Sequence, residues 1–175
     1  MSAFLKPLTL DEFLDWERDH PERFEFDGIQ PVAMTRGSVA HARLVRRLVA
    51  VLTERARPEC EVFGGDLKVL TAGRARYPDV TIVCGATEPS GDTVEPSVII
   101  EVLSPSTALT DRRVKPAEYA SLPTLLVYAM LEPDQPRAVV LRRSNGWREE
   151  GVSGLDSVLP FPELNVQLPL ALLYD

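Results

Sequence analysis

The clearest structural signals come from three segments, which read YPDV at residues 77–80, IIEVLSPST at residues 99–107 and DRRVKPAEY at residues 111–119. Asp79 and Glu101 lie in or beside apolar runs of the kind that forms β-strands, and Lys115 follows shortly after the second acid. A carboxylate is costly to bury among apolar side chains unless a positive group compensates it, and a divalent cation is a common partner. We therefore expect a functional site in these segments.

The order of the apolar runs predicts an α/β fold. Strands are expected at residues 61–63, 67–70, 80–84, 98–103, 125–131 and 138–142. The strand over residues 98–103, a short helix over residues 114–121 and the next apolar strand form a strand–helix–strand unit. Such a unit makes the two strands parallel, so at least part of the sheet should be parallel.

Turn signals place the remaining predicted elements. Asp27-Gly28 predicts a hairpin over residues 23–29, and Pro31 should limit its second strand to a sheet edge or a bulge. Asn145-Gly146 predicts a turn into a strand at Trp147. The apolar residues 168–173 predict a terminal turn of helix that packs on the core.

Two helices are predicted in the first third of the chain. Thr9 and Glu12 have the spacing of a capping box, so a helix should begin there and end near residues 20–21. Ser38 predicts the start of the longest helix, over residues 39–57, which Pro58 should end. The apolar face of this second helix recurs at three- and four-residue spacing and consists of Leu44, Val45, Leu48, Val51 and Leu52.

Size and composition fit one domain over residues 1–175, with a net charge of −7 and 45% hydrophobic residues. Cys60 and Cys84 lie in apolar strand-like runs without metal-ligand spacing, which predicts buried thiols in a reducing compartment. No segment has the length and apolarity of a signal peptide or a membrane span, so we expect a cytoplasmic protein. The acidic charge argues against nucleic-acid binding over the whole surface, but it permits a local basic groove.

Side-chain alternation brings the two acids into register. Asp79 and Thr81 share one face of their strand, and Ile99 and Glu101 share one face of theirs. If the strands are neighbours, Asp79 and Glu101 lie side by side at one end of the sheet. Mg²⁺ and Mn²⁺ bind one or two carboxylates, a backbone carbonyl and waters in this way. Such a metal serves phosphodiester hydrolysis, and a nearby ammonium orients the water and offsets charge.

The ordered motifs of the chain resemble the Uma-two family, which belongs to the PD-(D/E)XK superfamily with the restriction-endonuclease-like fold. The resemblance covers nearly the whole chain and is carried by Thr9-x-x-Glu12-Phe13, Phe24-Glu25-Phe26-Asp27-Gly28, Ser38-x-x-His41-Ala42, Pro78-Asp79-Val80, Glu101-Val102-Leu103-Ser104-Pro105, Asp111-x-x-x-Lys115-x-x-x-Tyr119, Arg142-Arg143-Ser144-Asn145-Gly146-Trp147 and Leu168-Pro169-Leu170. It implies that Asp79 and Glu101 are metal ligands, that Glu25 is an additional acid of the metal site, and that Lys115 is the catalytic lysine.

One position departs from the superfamily pattern, in which the lysine follows two residues after the second acid. Leu103 stands there and can neither donate a proton nor attract an anion. The resemblance implies that the lysine has moved to the following helix, where Lys115 reaches back towards Glu101. Pro116 disfavours a helix interior, so Lys115 is expected at a helix start.

Other polar residues of the motifs have simpler interpretations. Asp111 is interpreted as a helix cap or turn residue and is left out of the core site. His41 is expected to have a structural or supporting role. Tyr119 and Tyr128 are interpreted as core or hydrogen-bonding residues. The arginines of the long helix are either solvated or contact a nucleic-acid backbone.

These observations predict a central mixed β-sheet flanked by helices, of the restriction-endonuclease-like type. The predicted function is a Mg²⁺- or Mn²⁺-dependent endonuclease that acts on phosphodiester bonds of DNA, in which Asp79, Glu101, Glu25 and Lys115 form the site. Cleavage of both strands of a duplex favours a homodimer. Two alternatives stay open: a catalytically silent nucleic-acid-binding or protein-interaction module, favoured by Leu103 and the acidic charge, and the hydrolysis of another phosphate ester.

Overall fold

The structure is a computed structural model that describes residues 6–34 and 37–174. Its helices are α1 (Leu10–Arg18), α2 (Val39–Arg55), α3 (Ala108–Arg113), α4 (Lys115–Ala120) and α5 (Ala171–Tyr174). Its strands are β1 (Phe24–Phe26), β2 (Pro31–Ala33), β3 (Cys60–Gly64), β4 (Val69–Thr71), β5 (Arg74–Arg76), β6 (Val80–Cys84), β7 (Val98–Val102), β8 (Val127–Leu131), β9 (Arg137–Arg142), β10 (Glu149–Ser153), β11 (Val158–Phe161) and β12 (Val166–Pro169).

A six-stranded mixed sheet forms the centre of the fold, in the order β10-β9-β8-β7-β6-β3. Strands β7 and β8 pair in parallel, and the neighbours on either side pair antiparallel. This parallel pair is the one expected from the strand–helix–strand unit, since α3 and α4 lie between the two strands in sequence. A four-stranded sheet in the order β2-β1-β5-β4 and the β11–β12 hairpin complete the architecture.

Apolar side chains cover both faces of the central sheet. On one face, Leu44, Leu48 and Leu52 of α2 are buried against the sheet together with the β11–β12 hairpin and α5. On the other face, Tyr119 of α4 packs with Leu103 and the remaining residues of a second cluster. Helix α1 covers the four-stranded sheet in a third cluster. The helices therefore flank the central sheet as predicted.

The predicted starts of α1 and α2 are confirmed. The Thr9 hydroxyl accepts a hydrogen bond from the Glu12 amide while the Glu12 carboxylate accepts one from the Thr9 amide. The Ser38 hydroxyl accepts from the His41 amide and begins α2. Helix α2 ends at Arg55, two residues before the predicted boundary.

Several boundaries differ from the prediction. The hairpin turn extends over residues 27–30, because the Asp27 carboxylate accepts hydrogen bonds from the amides of Ile29 and Gln30 and delays the second strand to Pro31. That strand lies at a sheet edge, as expected. After Asn145-Gly146 the strand begins at Glu149, because Gly146 and Trp147 both have positive φ angles.

The prediction of two free thiols was wrong, because Cys60 and Cys84 form a disulfide between β3 and β6. The antiparallel register places these two residues directly opposite each other. Strand pairing decides this contact, and the spacing of two cysteines along the chain does not reveal it. Disulfides are rare in reducing compartments, so the cysteines no longer support a cytoplasmic location. No helix in the described part of the chain is long and apolar enough to span a bilayer.

Candidate active site

The four residues predicted to form the site line one cavity of about 370 Å³. They are Glu25, Asp79, Glu101 and Lys115. The cavity lies between the β1–β2 hairpin, the adjoining ends of β6 and β7, and helices α3 and α4. Residues that are far apart in sequence thus converge in the fold.

Asp79 and Glu101 lie side by side because β6 and β7 are antiparallel neighbours in which Val80 pairs with Ile100. The Val102 amide donates to Asp79 Oδ2 over 2.7 Å, and the Asp79 amide donates to Glu101 Oε2 over 3.4 Å. Each carboxylate therefore accepts a hydrogen bond from a backbone amide beside the other acid. Glu101 is buried, whereas Asp79 retains 24% of its side-chain exposure and faces the cavity.

Lys115 reaches Glu101 from the first position of α4. Its ammonium lies 2.7 Å from Glu101 Oε1 and is buried. Helix α3 ends at Arg113, and a break at Val114 separates it from α4. Pro116 occupies the first turn of α4, where its missing amide costs no intrahelical hydrogen bond. The expected position of Lys115 at a helix start is confirmed.

Asp111 joins the site, which corrects its interpretation as a cap residue. It lies inside α3, one turn before the lysine, and its Oδ1 is 3.0 Å from Lys115 Nζ. Its side chain is buried. The spacing of four residues places both side chains on one helical face even though the helix is interrupted between them.

Glu25 contacts cations with both oxygens. Its Oε2 accepts a hydrogen bond from Arg76 over 3.0 Å, and its Oε1 lies 3.4 Å from Lys115 Nζ. Arg76 is buried and also makes a bidentate contact with Glu118 at 2.9 and 2.8 Å. Arg76 and Glu118 were not among the residues predicted to form the site. The strand that carries Arg76 is short and polar, and the i, i+3 spacing of Lys115 and Glu118 was the signal available for the second residue.

Two tyrosines close the buried side of the site. Tyr119 donates a hydrogen bond to Glu101 Oε1 over 3.1 Å, and Tyr128 donates to the Asp111 carbonyl over 2.9 Å. Burial raises the pKa of Tyr119 well above its ordinary value, so its phenol stays protonated and acts as a donor. Both tyrosines have the core and hydrogen-bonding role that was expected.

His41 supports Asp79 from the first turn of α2. Its Nε2 lies 3.2 Å from Asp79 Oδ2, the oxygen that also accepts from the Val102 amide. The hydrogen bond with Asp79 raises the pKa of His41, against the opposing effect of burial. His41 therefore helps to orient the Asp79 carboxylate, which is the supporting role that was expected.

The site contains more acids than cations. Five carboxylates line the cavity, those of Glu25, Asp27, Asp79, Glu101 and Asp111, and so do three cations, Lys115, Arg74 and Arg76. With every carboxylate ionised and His41 neutral the excess is two negative charges, and protonation of Glu101 or His41 reduces it. Burial raises the pKa of Glu101 to about 8, and the neighbouring acids add to this effect while Lys115 opposes it. Burial alone would lower the pKa of Lys115, but the surrounding carboxylates raise it well above its ordinary value.

The donor set fits a hard divalent cation. Mg²⁺ binds proteins through one or two carboxylates and keeps several waters, and Asp79 and Glu101 offer that number at the cavity wall. Within residues 6–34 and 37–174, no three His, Cys, Asp or Glu side chains are grouped so as to hold a metal. A magnesium site of this kind does not require three, because water and substrate phosphate supply the remaining oxygens.

The arginines of α2 have different surroundings. Arg43 and Arg46 are exposed, whereas Arg47 donates a hydrogen bond to the Leu173 carbonyl over 2.8 Å and fixes α5 to the helix. Arg43 and Arg46, and the exposed Arg55 at the end of the helix, can thus meet solvent or a charged partner. Arg47 has a structural role.

Known proteins share the sequence pattern of this chain. Residues 10–172 match the Uma2 family, described as "Putative restriction endonuclease". The uncharacterized protein slr1290 of Synechocystis is 32% identical over 135 residues, which cover 74% of this chain and 71% of that protein. A second uncharacterized Synechocystis protein, sll1609, is 31% identical over 139 residues, or 74% of this chain and 77% of its own length.

A solved structure shares the fold. The crystal structure of an Anabaena variabilis protein, described as "a putative nuclease belonging to DUF820", aligns with a TM-score of 0.80 over 96% of this chain and 98% of that chain, at 20% identity. At that identity the likeness shows the fold, and it confirms the predicted α/β architecture. Because the family match extends over nearly the whole sequence, the chain belongs to the Uma2 family of restriction-endonuclease-like proteins.

Proposed function

We propose that the chain is a nuclease that uses Mg²⁺ or Mn²⁺ to hydrolyse phosphodiester bonds, with DNA as its substrate. The observation that carries this proposal is the convergence of Asp79 and Glu101 on one cavity wall, among more carboxylates than cations. An uncompensated cluster of acids is costly in a protein interior, and one divalent ion neutralises it. The family match supports the reaction class, and the pair of carboxylates at the cavity wall supports a divalent cation as cofactor.

Asp79 and Glu101 are the residues that would hold the ion. Asp79 uses Oδ2 for the Val102 amide and His41, and Oδ1 makes no hydrogen bond within residues 6–34 and 37–174. Glu101 uses Oε1 for Lys115 and Tyr119, and its Oε2 accepts one long hydrogen bond from the Asp79 amide. One oxygen of each acid therefore remains available. When bound, the ion lowers the pKa of a water and neutralises charge on the phosphate.

Lys115 acts as a fixed positive charge in this proposal. Its carboxylate neighbours keep it protonated at neutral pH, so it cannot serve as the general base. It can donate a hydrogen bond to the attacking water and offset negative charge that develops on the phosphate. Glu25 has cationic partners on both oxygens, so its role here is to support Lys115 and Arg76 beside the metal site.

The experiment is a cleavage assay with purified protein on single-stranded, duplex and branched DNA, with Mg²⁺, with Mn²⁺ and with EDTA. Cleavage should require the metal, and Asp79→Asn and Lys115→Met should each abolish it. Glu150→Gln is the matched control, because it removes an acid whose contacts lie with Arg142 and Asn145, away from the cavity, and should leave cleavage unchanged. Cleavage that persists in both site variants would show a contaminating nuclease and contradict the proposal.

A second candidate is a catalytically silent nucleic-acid-binding module. The observation that favours it is the Lys115 ammonium, which is enclosed by carboxylates and not open to solvent. Binding of DNA without cleavage at any metal concentration would establish this alternative. Hydrolysis of a small phosphate ester in place of DNA would establish the third function considered from sequence. Sedimentation of the protein in complex with duplex DNA measures its oligomeric state. It therefore tests the homodimer that cleavage of both strands favours.

A further inference from the structure

We propose that the Lys115 ammonium occupies the place of a second metal ion, and that Asp111 is the positioning residue that holds it there. This inference deepens the proposed function and rests on it in one respect, that the neighbouring Asp79–Glu101 pair holds a single cation. It assigns a role to a buried acid that the proposed hydrolysis leaves unexplained.

The surroundings of the ammonium resemble the oxygen shell of a metal. Lys115 Nζ lies 2.7 Å from Glu101 Oε1, 3.0 Å from Asp111 Oδ1 and 3.4 Å from Glu25 Oε1. These three carboxylates come from three separate elements, β7, α3 and β1. Convergent acidic oxygens of this kind are the ligands that Mg²⁺ and Mn²⁺ prefer. With the ammonium in place, no three acids of the described residues are grouped so as to hold a metal. The protein cation fills a position that would attract an ion from solution if the lysine were removed.

Glu101 has the arrangement of a bridging carboxylate. Its Oε1 faces the ammonium, and its Oε2 faces the Asp79 backbone on the other side. In two-metal phosphodiesterases the two ions lie about 3.5–4 Å apart and share such ligands. Here one side of Glu101 is occupied by Lys115, so a single metal position remains next to Asp79.

Among the described residues, Asp111 forms its one ion pair with Lys115. Its side chain is 1% exposed, and its Oδ1 accepts no hydrogen bond of good geometry from the described residues. Lys115 Nζ at 3.0 Å is its charge partner. A carboxylate at this depth is costly unless it is paired, so its burial follows from the need to hold the ammonium.

Lys68 provides a comparison within the same chain. It is also buried, at 6% exposed, and it pairs with Glu17 at 2.8 Å and Asp92 at 3.2 Å. It lies outside the candidate site, and one of its two acids is largely exposed. Removal of Lys68 should therefore leave no position that a divalent ion would fill.

The experiment counts Mn²⁺ ions bound per chain by electron paramagnetic resonance, starting from metal-free protein. Lys115→Met should bind one more ion than wild type, with the spectrum of two coupled ions that share Glu101. Lys115→Met with Asp111→Asn should lose the additional ion. Lys68→Met should bind the same number as wild type. In thermal unfolding, roughly 1 mM Mn²⁺ should raise the melting temperature of Lys115→Met more than that of wild type. The reason is that the additional ion binds only the folded chain.

The outcomes separate this inference from the proposed function. Wild type that binds no Mn²⁺ contradicts the proposed function, while a gained ion in Lys115→Met still supports the role of the ammonium. An unchanged count in Lys115→Met overturns the inference, and so does an equal gain in Lys68→Met. An additional ion that survives Asp111→Asn overturns the role of Asp111. A Lys115→Met chain that stays unfolded with Mn²⁺ present overturns the inference too, since the ion should replace the ammonium.

Discussion

Glu101→Gln should stabilise the metal-free protein at neutral pH, although it removes a residue of the candidate active site. The pKa of Glu101 is raised from its ordinary value of 4.5 to about 8, chiefly by burial. Between these two values the unfolded chain has released the proton while the folded chain still holds it. The stability of the folded state therefore falls as the pH rises through this window.

The size of the effect follows from the same values. Each pKa unit corresponds to about 1.36 kcal/mol, so a rise of this size costs on the order of a few kcal/mol of stability by pH 8. Glutamine is neutral at every pH and keeps an acceptor for Lys115 and Tyr119. The stability of Glu101→Gln should consequently change less between pH 5 and pH 8, and its advantage over wild type should grow with pH.

The assay is urea unfolding in EDTA at pH 5, 7 and 8.5, for wild type and Glu101→Gln. Glu17→Gln is the control. It replaces a buried glutamate outside the candidate site, whose carboxylate contacts Lys68 and Tyr77. That variant should be less stable than wild type by about 3–5 kcal/mol, because it breaks a buried ion pair. A Glu101→Gln protein that is less stable than wild type at pH 7, or a difference that does not grow with pH, would refute the reasoning.

Three further perturbations test other contacts. Arg76→Met should lower the free energy of unfolding by about 3–5 kcal/mol, because it leaves Glu118 and its neighbours buried without their bidentate partner, as urea unfolding measures. Leu103→Lys should destabilise the chain by about 2–5 kcal/mol, because Leu103 is packed in an apolar cluster. It should also fail to restore cleavage to Lys115→Met. Asp79→Asn should retain the fold but weaken Mn²⁺ binding at least tenfold, which calorimetry detects.

The sequence was sufficient to predict the central part of the fold, because that part depends on local patterns. Capping residues start α1 and α2, and largely apolar runs form β6 and β7. The adjacency of Asp79 and Glu101 followed once the two strands were taken as neighbours. Strand alternation fixes which side chains share a face, and this rule does not depend on distant parts of the chain.

The remaining features depend on tertiary contacts that leave little trace in sequence. The strand β5 is short and contains two arginines, and it forms because it pairs with β1 and β4. The residues of β11 and β12 pair with each other although several of them are prolines or polar. Asp111 resembled a cap residue because a carboxylate at the start of a helix usually caps it. Its spacing of four residues from Lys115 was the local signal for their contact, and the structure shows that the contact is kept across the break between α3 and α4.

Under the proposed function, the position of the lysine indicates which part of the superfamily pattern the chemistry requires. On β7 the position two residues after Glu101 belongs to Leu103, which packs in the cluster of Tyr119 and is unsuitable for a charge. The ammonium instead enters from α4 and arrives 2.7 Å from Glu101. A lysine on a helix has no strand to fix its direction, so acids must hold it, and Asp111 lies one turn earlier to do so. In this chain the positive charge lies beside the second acid although a different chain position supplies it, and a counter-ion, Asp111, accompanies the new position.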